Sequence, residues 1–375
     1  MFCVSRKLSR AISSAIISVI FISACSINDY SAEVIEVSID FDVIGSAGPE
    51  ARNHHTQIWI DESLIVWGGR PEGGGVLSDG AVLSGQKNDW KEISKAPISA
   101  RSHHAGVAVD DRLFVWGGFS TDGSGDQAKT GAFYSLEEDE WVEIEEAPEG
   151  RAAAQAEYVS DLVVIAGGLT PTSDLLVFSV IDDSWRKVSF PENHPGYHVL
   201  GTDSFGDRVA ILASDTEGFH VIDYSAGEDH VSIFPLRGIE KTFSAGISFS
   251  GKGALYIVSM DSMSSRLHSV SLNGKTELLF EDVTKTFQPD HLTSMHPFNS
   301  SSMDSIGDRY LVSSGPAGVN LWDLEGGQIM DLNLKRNSAF CGPLIVHSES
   351  SMIGWVGENE CGLSGVIMDL SDYLY

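Results

Sequence analysis

Trp67-Gly68-Gly69 returns as Trp116-Gly117-Gly118 and a third time as Ala166-Gly167-Gly168. Each copy keeps the same company. Arg52, Arg101 and Arg151 precede the three copies, at spacings of 49 and 50 residues. Ser84, Ser135 and Ser179 follow them, each with a tryptophan six residues on: Trp90, Trp141 and Trp185. Self-similarity at such a period marks a repeat architecture, in which each unit buries its apolar face against the next.

Within a unit the pattern reads as four short strands. In the second unit Ala105–Val109, Leu113–Gly117, Ala132–Leu136 and Trp141–Ile144 are rich in β-branched and aromatic residues and bounded by Gly, Asp and Pro. After residue 24 no segment sustains a 3.6-residue apolar period, which excludes an α-rich fold. Later units lose the glycine pair but keep the strands. Gly206-Asp207-Arg208 and Gly307-Asp308-Arg309 echo Asp111-Arg112, and third strands recur at Phe219–Tyr224, Leu267–Leu272, Val319–Leu324 and Val366–Leu370.

Seven units follow, at 52–96, 101–147, 151–191, 196–237, 242–284, 297–335 and 338–370. Their lengths suit four-stranded blades around a central channel. The expected fold is all-β, a seven-bladed β-propeller, with six blades as the alternative because units five and six are weakly marked. The seventh unit supplies Phe340–His347, Met352–Val356 and Val366–Leu370 but no fourth strand. Upstream, Ile35, Val37, Ile39 and Phe41 alternate with Glu36, Ser38 and Asp40, the period of an amphipathic strand. Residues 34–41 are therefore expected to pair with 366–370 and close the ring, removing both exposed sheet edges.

The recurring arginine, histidine, glycine pair and serine–tryptophan spacing resembles the kelch repeat, closely across residues 52–190 and only in strand pattern beyond. The resemblance implies a propeller whose fourth-to-first and second-to-third connections gather on one face at the channel mouth. Here those connections include Arg70–Gly80, Phe119–Thr130, Glu281–His296 and the loop holding Cys361. It also implies a role for Arg52, Arg101 and Arg151 in contacting an acidic partner, since a guanidinium binds carboxylates through two parallel hydrogen bonds. Arg70, His55 and His104 complete the expected contact set. The opposing reading is that each arginine pairs with a loop carboxylate and braces its blade. His54-His55 and His103-His104 invite a metal assignment, but adjacent strand residues face opposite ways and the third unit reads Arg151-Ala152-Ala153-Ala154, so no metal site is expected.

The beginning of the chain carries a different signal. Arg6, Lys7 and Arg10 precede an apolar run from Ala11 to Ala24, too short to span a bilayer. A basic start and a short apolar middle read as a secretory signal. Ile22-Ser23-Ala24-Cys25 resembles the bacterial lipobox, which implies lipidation of Cys25 and cleavage before it. Residues 1–24 are then a signal peptide, 25–33 a tether, and 34–375 a single propeller domain. Ser26 at the following position implies the outer membrane of a bacterial envelope, facing either the periplasm or the exterior. Cys341 and Cys361 remain as an even pair in an oxidising compartment, where a disulfide is expected to contribute about 3 kcal/mol.

The net charge is −29, from 53 acids against 24 Lys and Arg. Such a chain is repelled by nucleic acid, and it would meet the membrane only through its lipid anchor. No Gly-x-Ser-x-Gly elbow, Walker loop or His-Glu-x-x-His motif occurs, and no cofactor is expected. Two functions remain open. One is a binding module presenting its loop face to an envelope protein, a peptidoglycan fragment or an acidic glycan. The other is a carbohydrate-active enzyme similar to the periplasmic kelch propellers that epimerise sialic acid, with His55, His104, Glu72 or Glu157 as candidate acid–base groups. Copper radical oxidases built on kelch propellers carry a cysteine–tyrosine cross-link that has no counterpart here.

Overall fold

The structure is a computed structural model. It describes residues 33–39, 41–44, 48–84, 89–121, 127–191, 196–239, 244–260, 265–271, 275–282, 302–315, 318–334, 345–348, 350–355 and 365–374. The expected signal peptide (residues 1–24), Cys25, Cys341 and Cys361 lie outside the described residues, as does most of Glu281–His296.

Alternating apolar and polar residues, broken every five or six positions by Asp, Gly or Ser, can form only short strands joined by tight turns. Seven four-stranded antiparallel blades result. Blade two runs Ala105–Val109, Arg112–Trp116, Gly131–Ser135 and Glu140–Glu143, each within a residue of its expected position. The first and second strands are joined by two-residue turns at Asp61-Glu62 and Ser160-Asp161, where both residues adopt positive φ, the conformation that matches strand twist. The recurring serine belongs to the next turn. Ser135, Ser179 and Ser225 each accept the N–H of the third residue on, from Glu138, Asp182 and Glu228. Asp139, Asp183 and Asp229 then end that turn at positive φ.

The innermost strands touch in sequence around the channel, from Thr56–Ile60 of blade one through Ala105–Val109, Gln155–Val159, His198–Phe205, Ser244–Phe249 and Ser302–Ile306 to Ile345–Ser348, which meets blade one again. Between the sheets lies the tryptophan ladder. Trp141 of blade two packs on Trp67 of blade one (ring centroids 5.4 Å apart), Trp185 of blade three on Trp116 of blade two (5.2 Å), and Trp90 of blade one on Trp355 of blade seven (5.2 Å). Each fourth-strand tryptophan thus reaches back to the preceding blade. Hydrogen bonds fix the reach. Trp141 Nε1 donates to the Ser94 carbonyl while Ser94 N–H donates to Asp139, and Trp185 Nε1 and Asp183 hold the carbonyl and N–H of Glu145 in the same way.

Closure uses the N-terminal segment, but not as one strand. Glu33–Ile39 adds a fifth, parallel strand to blade six, pairing Gln328–Leu334. Phe41–Val43 then supplies the missing antiparallel strand of blade seven, pairing Gly365–Asp369. The expected partner of the 34–41 stretch is therefore corrected for all but its last residue. The physical reason lies in where the apolar face is buried. Val37 and Ile39 fill the core between blades six and seven with Met330, Leu332, Met352 and Met368. A period of two specifies a buried face without specifying which sheet edge lies beside it. Ile44, fully buried, and the Trp355 N–H donated to Gln57 Oε1 (3.0 Å) seal blade seven to blade one.

Candidate functional site

Two regions carry polar chemistry: the loop face of blades one to three and the channel wall of blades three to six. On the loop face, Arg52–Asn53 pairs Arg70–Pro71, and Arg101–Ser102 pairs Phe119–Ser120. Each two-stranded ribbon ties the connection entering a blade to the loop between its second and third strands. The glycine pair allows this. Gly69 N–H donates to the Arg101 carbonyl and Gly118 N–H to that of Arg151, each 2.8 Å. At Gly118 φ is +87°, and a Cβ there would stand 2.6 Å from the Ser102 carbonyl oxygen, a position closed to other residues.

The three recurring arginines are buried, each held within its own blade. Arg52 donates to the carbonyls of Glu50, Gly68 and Asp79 and makes a bidentate pair with the Asp79 carboxylate. Arg101 donates to Ser99, Gly117 and Thr130 carbonyls and to Thr130 Oγ1. Arg151 donates to Gly167 and Asp174 carbonyls and is flanked by the carboxylates of Glu149 and Asp174. These guanidiniums hold the second-to-third loop onto the blade, the bracing alternative weighed above. Arg70, on the outer strand of the first ribbon, is exposed.

His104 is buried and His55 half-buried, both packed between blades rather than at the mouth. His55 meets Trp355 edge-on at 5.9 Å, and His104 meets Trp67 at 5.1 Å. Burial, with the charge of Arg52 beside it, lowers the His55 pKa to about 4. Burial and Arg101 push His104 well below the usual value. Both are neutral packing residues at physiological pH. The preceding histidines do come together: His54 and His103 stack with ring centroids 3.7 Å apart, and Phe119 meets His103 edge-on. Among the described residues no group of three or more metal-ligating side chains converges. The four candidate acid–base groups are not assembled either. His55 and His104 lie inside the seams, Glu72 is exposed on a blade-one loop, and Glu157 stands on the innermost strand of blade three.

The channel holds residues that sequence motifs did not select. Glu157, Asp203 and Asp304 occupy matched positions in blades three, four and six, three residues before the turn into the second strand. Glu157 accepts Thr202 Oγ1–H (2.7 Å) and Ser204 Oγ–H (3.0 Å) from blade four. Asp203 accepts Ser248 Oγ–H and Phe249 N–H from blade five, at 2.8 and 2.7 Å. Asp304 accepts Val346 N–H from blade seven at 3.3 Å. Each carboxyl therefore fastens its blade to the next at the inner edge. Burial raises all three pKa values, Glu157 to about 7 and Asp304 to about 6, and the charge of Asp203 adds to both. Asp304 still keeps solvent exposure although protein surrounds it, as a group opening onto the channel does. The signal that could have found them was the Gly-Asp-Arg echo, which places Asp203 and Asp304 in one register.

Residues 28–211 match the KLHDC2/KLHL20/DRC7 Kelch-repeats domain. The chain is a kelch-repeat β-propeller. No curated protein matches it. The matched span covers blades one to three and most of the first two strands of blade four, the part where the arginine, glycine-pair and tryptophan positions recur. The kelch propeller is commonly a protein-interaction module.

Proposed function

We propose that this kelch propeller is a binding module of the bacterial envelope, held by a lipid on Cys25 and contacting its partner through the loop face of blades one to three. The observation that carries the reading is the pair of ribbons braced by Arg52 and Arg101. They order the loop backbone before any partner arrives, and a surface already ordered loses less entropy on binding. Exposed Arg70 supplies a planar, fork-shaped donor on a ribbon edge, suited to a carboxylate of an envelope protein, a peptidoglycan fragment or an acidic glycan.

A thermal-shift screen with acidic sugars and muropeptides, run beside a pull-down from solubilised envelopes, tests the reading. A ligand of the loop face raises the melting temperature of the wild type by mass action and loses that effect in Arg70→Ala. Binding unaffected by Arg70→Ala and by substitutions along Glu72–Leu77 refutes the assigned face. Cys25→Ser tests the anchor separately: the variant loses fatty-acid labelling and partitions with the soluble fraction.

A further inference from the structure

The three channel carboxyls share a setting that the binding reading does not use. None of the seven innermost strands contains a lysine or arginine. Glu157 feels the charges of Asp203 and Asp304, and no cation on those strands balances them. The geometry around Glu157 is the most demanding. Thr202 Oγ1 lies 2.7 Å from Glu157 Oε1 and 3.0 Å from Gln155 Oε1. Ser204 Oγ, 3.0 Å from Oε2, is the other contact, so Glu157 meets only neutral side chains across the seam. Hydroxyls accept as well as donate, so Thr202 can keep its bond to Oε1 while a proton on Oε2 is given to Ser204 Oγ, and the same contacts hold a neutral Glu157.

The elements packed on Glu157 offer little else to neutralise it. The adjoining strand Leu162–Ala166 and blade two's Ala105–Val109 carry no charge. Blade four brings Asp203, together with His198 at the exposed loop end of its strand. Arg208, on the next strand, is held in a bidentate pair by Asp223. Tyr158, beside Glu157 in sequence, turns away and donates towards Asp110 and Asp161.

We propose that Glu157 is carried as a neutral carboxylic acid in the closed ring and that its ionisation loosens the seam between blades three and four. Loss of the proton to solvent leaves a carboxylate repelled by Asp203 and Asp304 with no cation from the innermost strands to balance it. The device is a proton-operated latch at the inner edge of the ring, remote from the braced loops.

The sign is fixed by the shift. A carboxyl bound more tightly to its proton in the folded state contributes full stability below its ordinary value, 4.5, and loses it as pH rises through about 7. Over that window the unfolding equilibrium constant should rise by roughly 10²-fold from this group. Chemical denaturation of the full chain at pH 5, 6, 7 and 8 should show that loss in the wild type and a markedly flatter dependence in Glu157→Gln. An unchanged slope in the variant overturns the proposal. Infrared spectroscopy of the wild type gives a second reading that does not depend on the variant folding. A protonated-carboxyl band should persist at pH 6 and vanish by pH 9, and it should survive Asp304→Asn. A wild type lacking that band at pH 6 also overturns the latch.

Discussion

Arg101→Ala separates the two roles an arginine can play at this position in a kelch unit. The guanidinium is fully buried and donates to the carbonyls of Ser99 (3.0 Å), Gly117 (3.0 Å) and Thr130 (2.8 Å), and to Thr130 Oγ1 (2.9 Å). Alanine would strip the Gly117 carbonyl of its guanidinium donor, at a cost of about 1–3 kcal/mol, while the Thr130 carbonyl keeps the Gly117 N–H (3.2 Å). It would also leave a void where the side chain lay. These losses are not additive, and a net destabilisation of about 3–5 kcal/mol is expected from the lost donors together with the void. Lysine should recover little, because an ammonium cannot place several donors in one plane. Urea denaturation with unchanged m-value measures the effect. A loss below about 1 kcal/mol, with binding of an acidic ligand abolished, would refute the brace and return Arg101 to the contact surface.

Gly118→Ala should cost roughly 3 kcal/mol or more, since a Cβ would crowd the Ser102 carbonyl and His104 at a φ of +87°; thermal denaturation checks it, and a neutral outcome contradicts the close approach. Trp141→Phe should lose about 2 kcal/mol, combining the Nε1 bond to Ser94 with part of the packing on Trp67, whereas Val142, exposed on the same strand, should tolerate Thr within about 0.5 kcal/mol. Neutral His55 takes up its proton only near pH 4, so its contribution is complete above pH 6.5 and is lost as pH falls from there to about 4, by roughly 3 kcal/mol. Acid denaturation of His55→Leu should show a shallower slope in that window. Deleting residues 1–39 should remove the burial of Val37 and Ile39, about 1.5–3 kcal/mol each, yet leave the ring closed by Phe41–Val43; a deletion through Ile44 should open it, read as a loss of cooperative unfolding.

What the sequence made legible is what the repeat makes periodic. Arg, Gly-Gly, Ser and Trp recur because each blade solves the same packing problem, so their positions disclosed the blades and their strands to within a residue or two. The partner of each side chain was less legible. Arg52 on Asp79 and Arg101 on Thr130 Oγ1 use different groups at related loop sites, and no repeat signals the choice. The division of residues 33–43 between two blades was hidden for a related reason: alternation reports a buried face, while the sheet that receives it is set by long-range packing against Met352 and Met368. Glu157, Asp203 and Asp304 were obscured because one position is occupied by different side chains in different blades, Ile58 and Val107 among them.

The two halves of the ring are fastened by different chemistry, and the difference has a consequence. Blades one to three are joined by groups that do not titrate near neutrality: backbone N–H groups of Gly69 and Gly118 and the indoles of Trp141 and Trp185. From blade three onward the inner seams rely on carboxyls at Glu157, Asp203 and Asp304. The Arg-Asp pairs at Arg208–Asp223 and Arg309–Asp323 sit between strands within a blade, so they stiffen blades four and six without joining them to their neighbours. A rise in pH therefore acts on the seams of the second half and leaves the loop ribbons of the first half intact. Hydrogen exchange should resolve this directly. With intrinsic rates corrected for pH, amides of 199–204 and 246–249 should lose protection between pH 6 and 8, while those of 105–109 and 112–116 keep theirs. Uniform loss around the ring would mean that the seams open as one unit and that the division by chemistry has no mechanical effect.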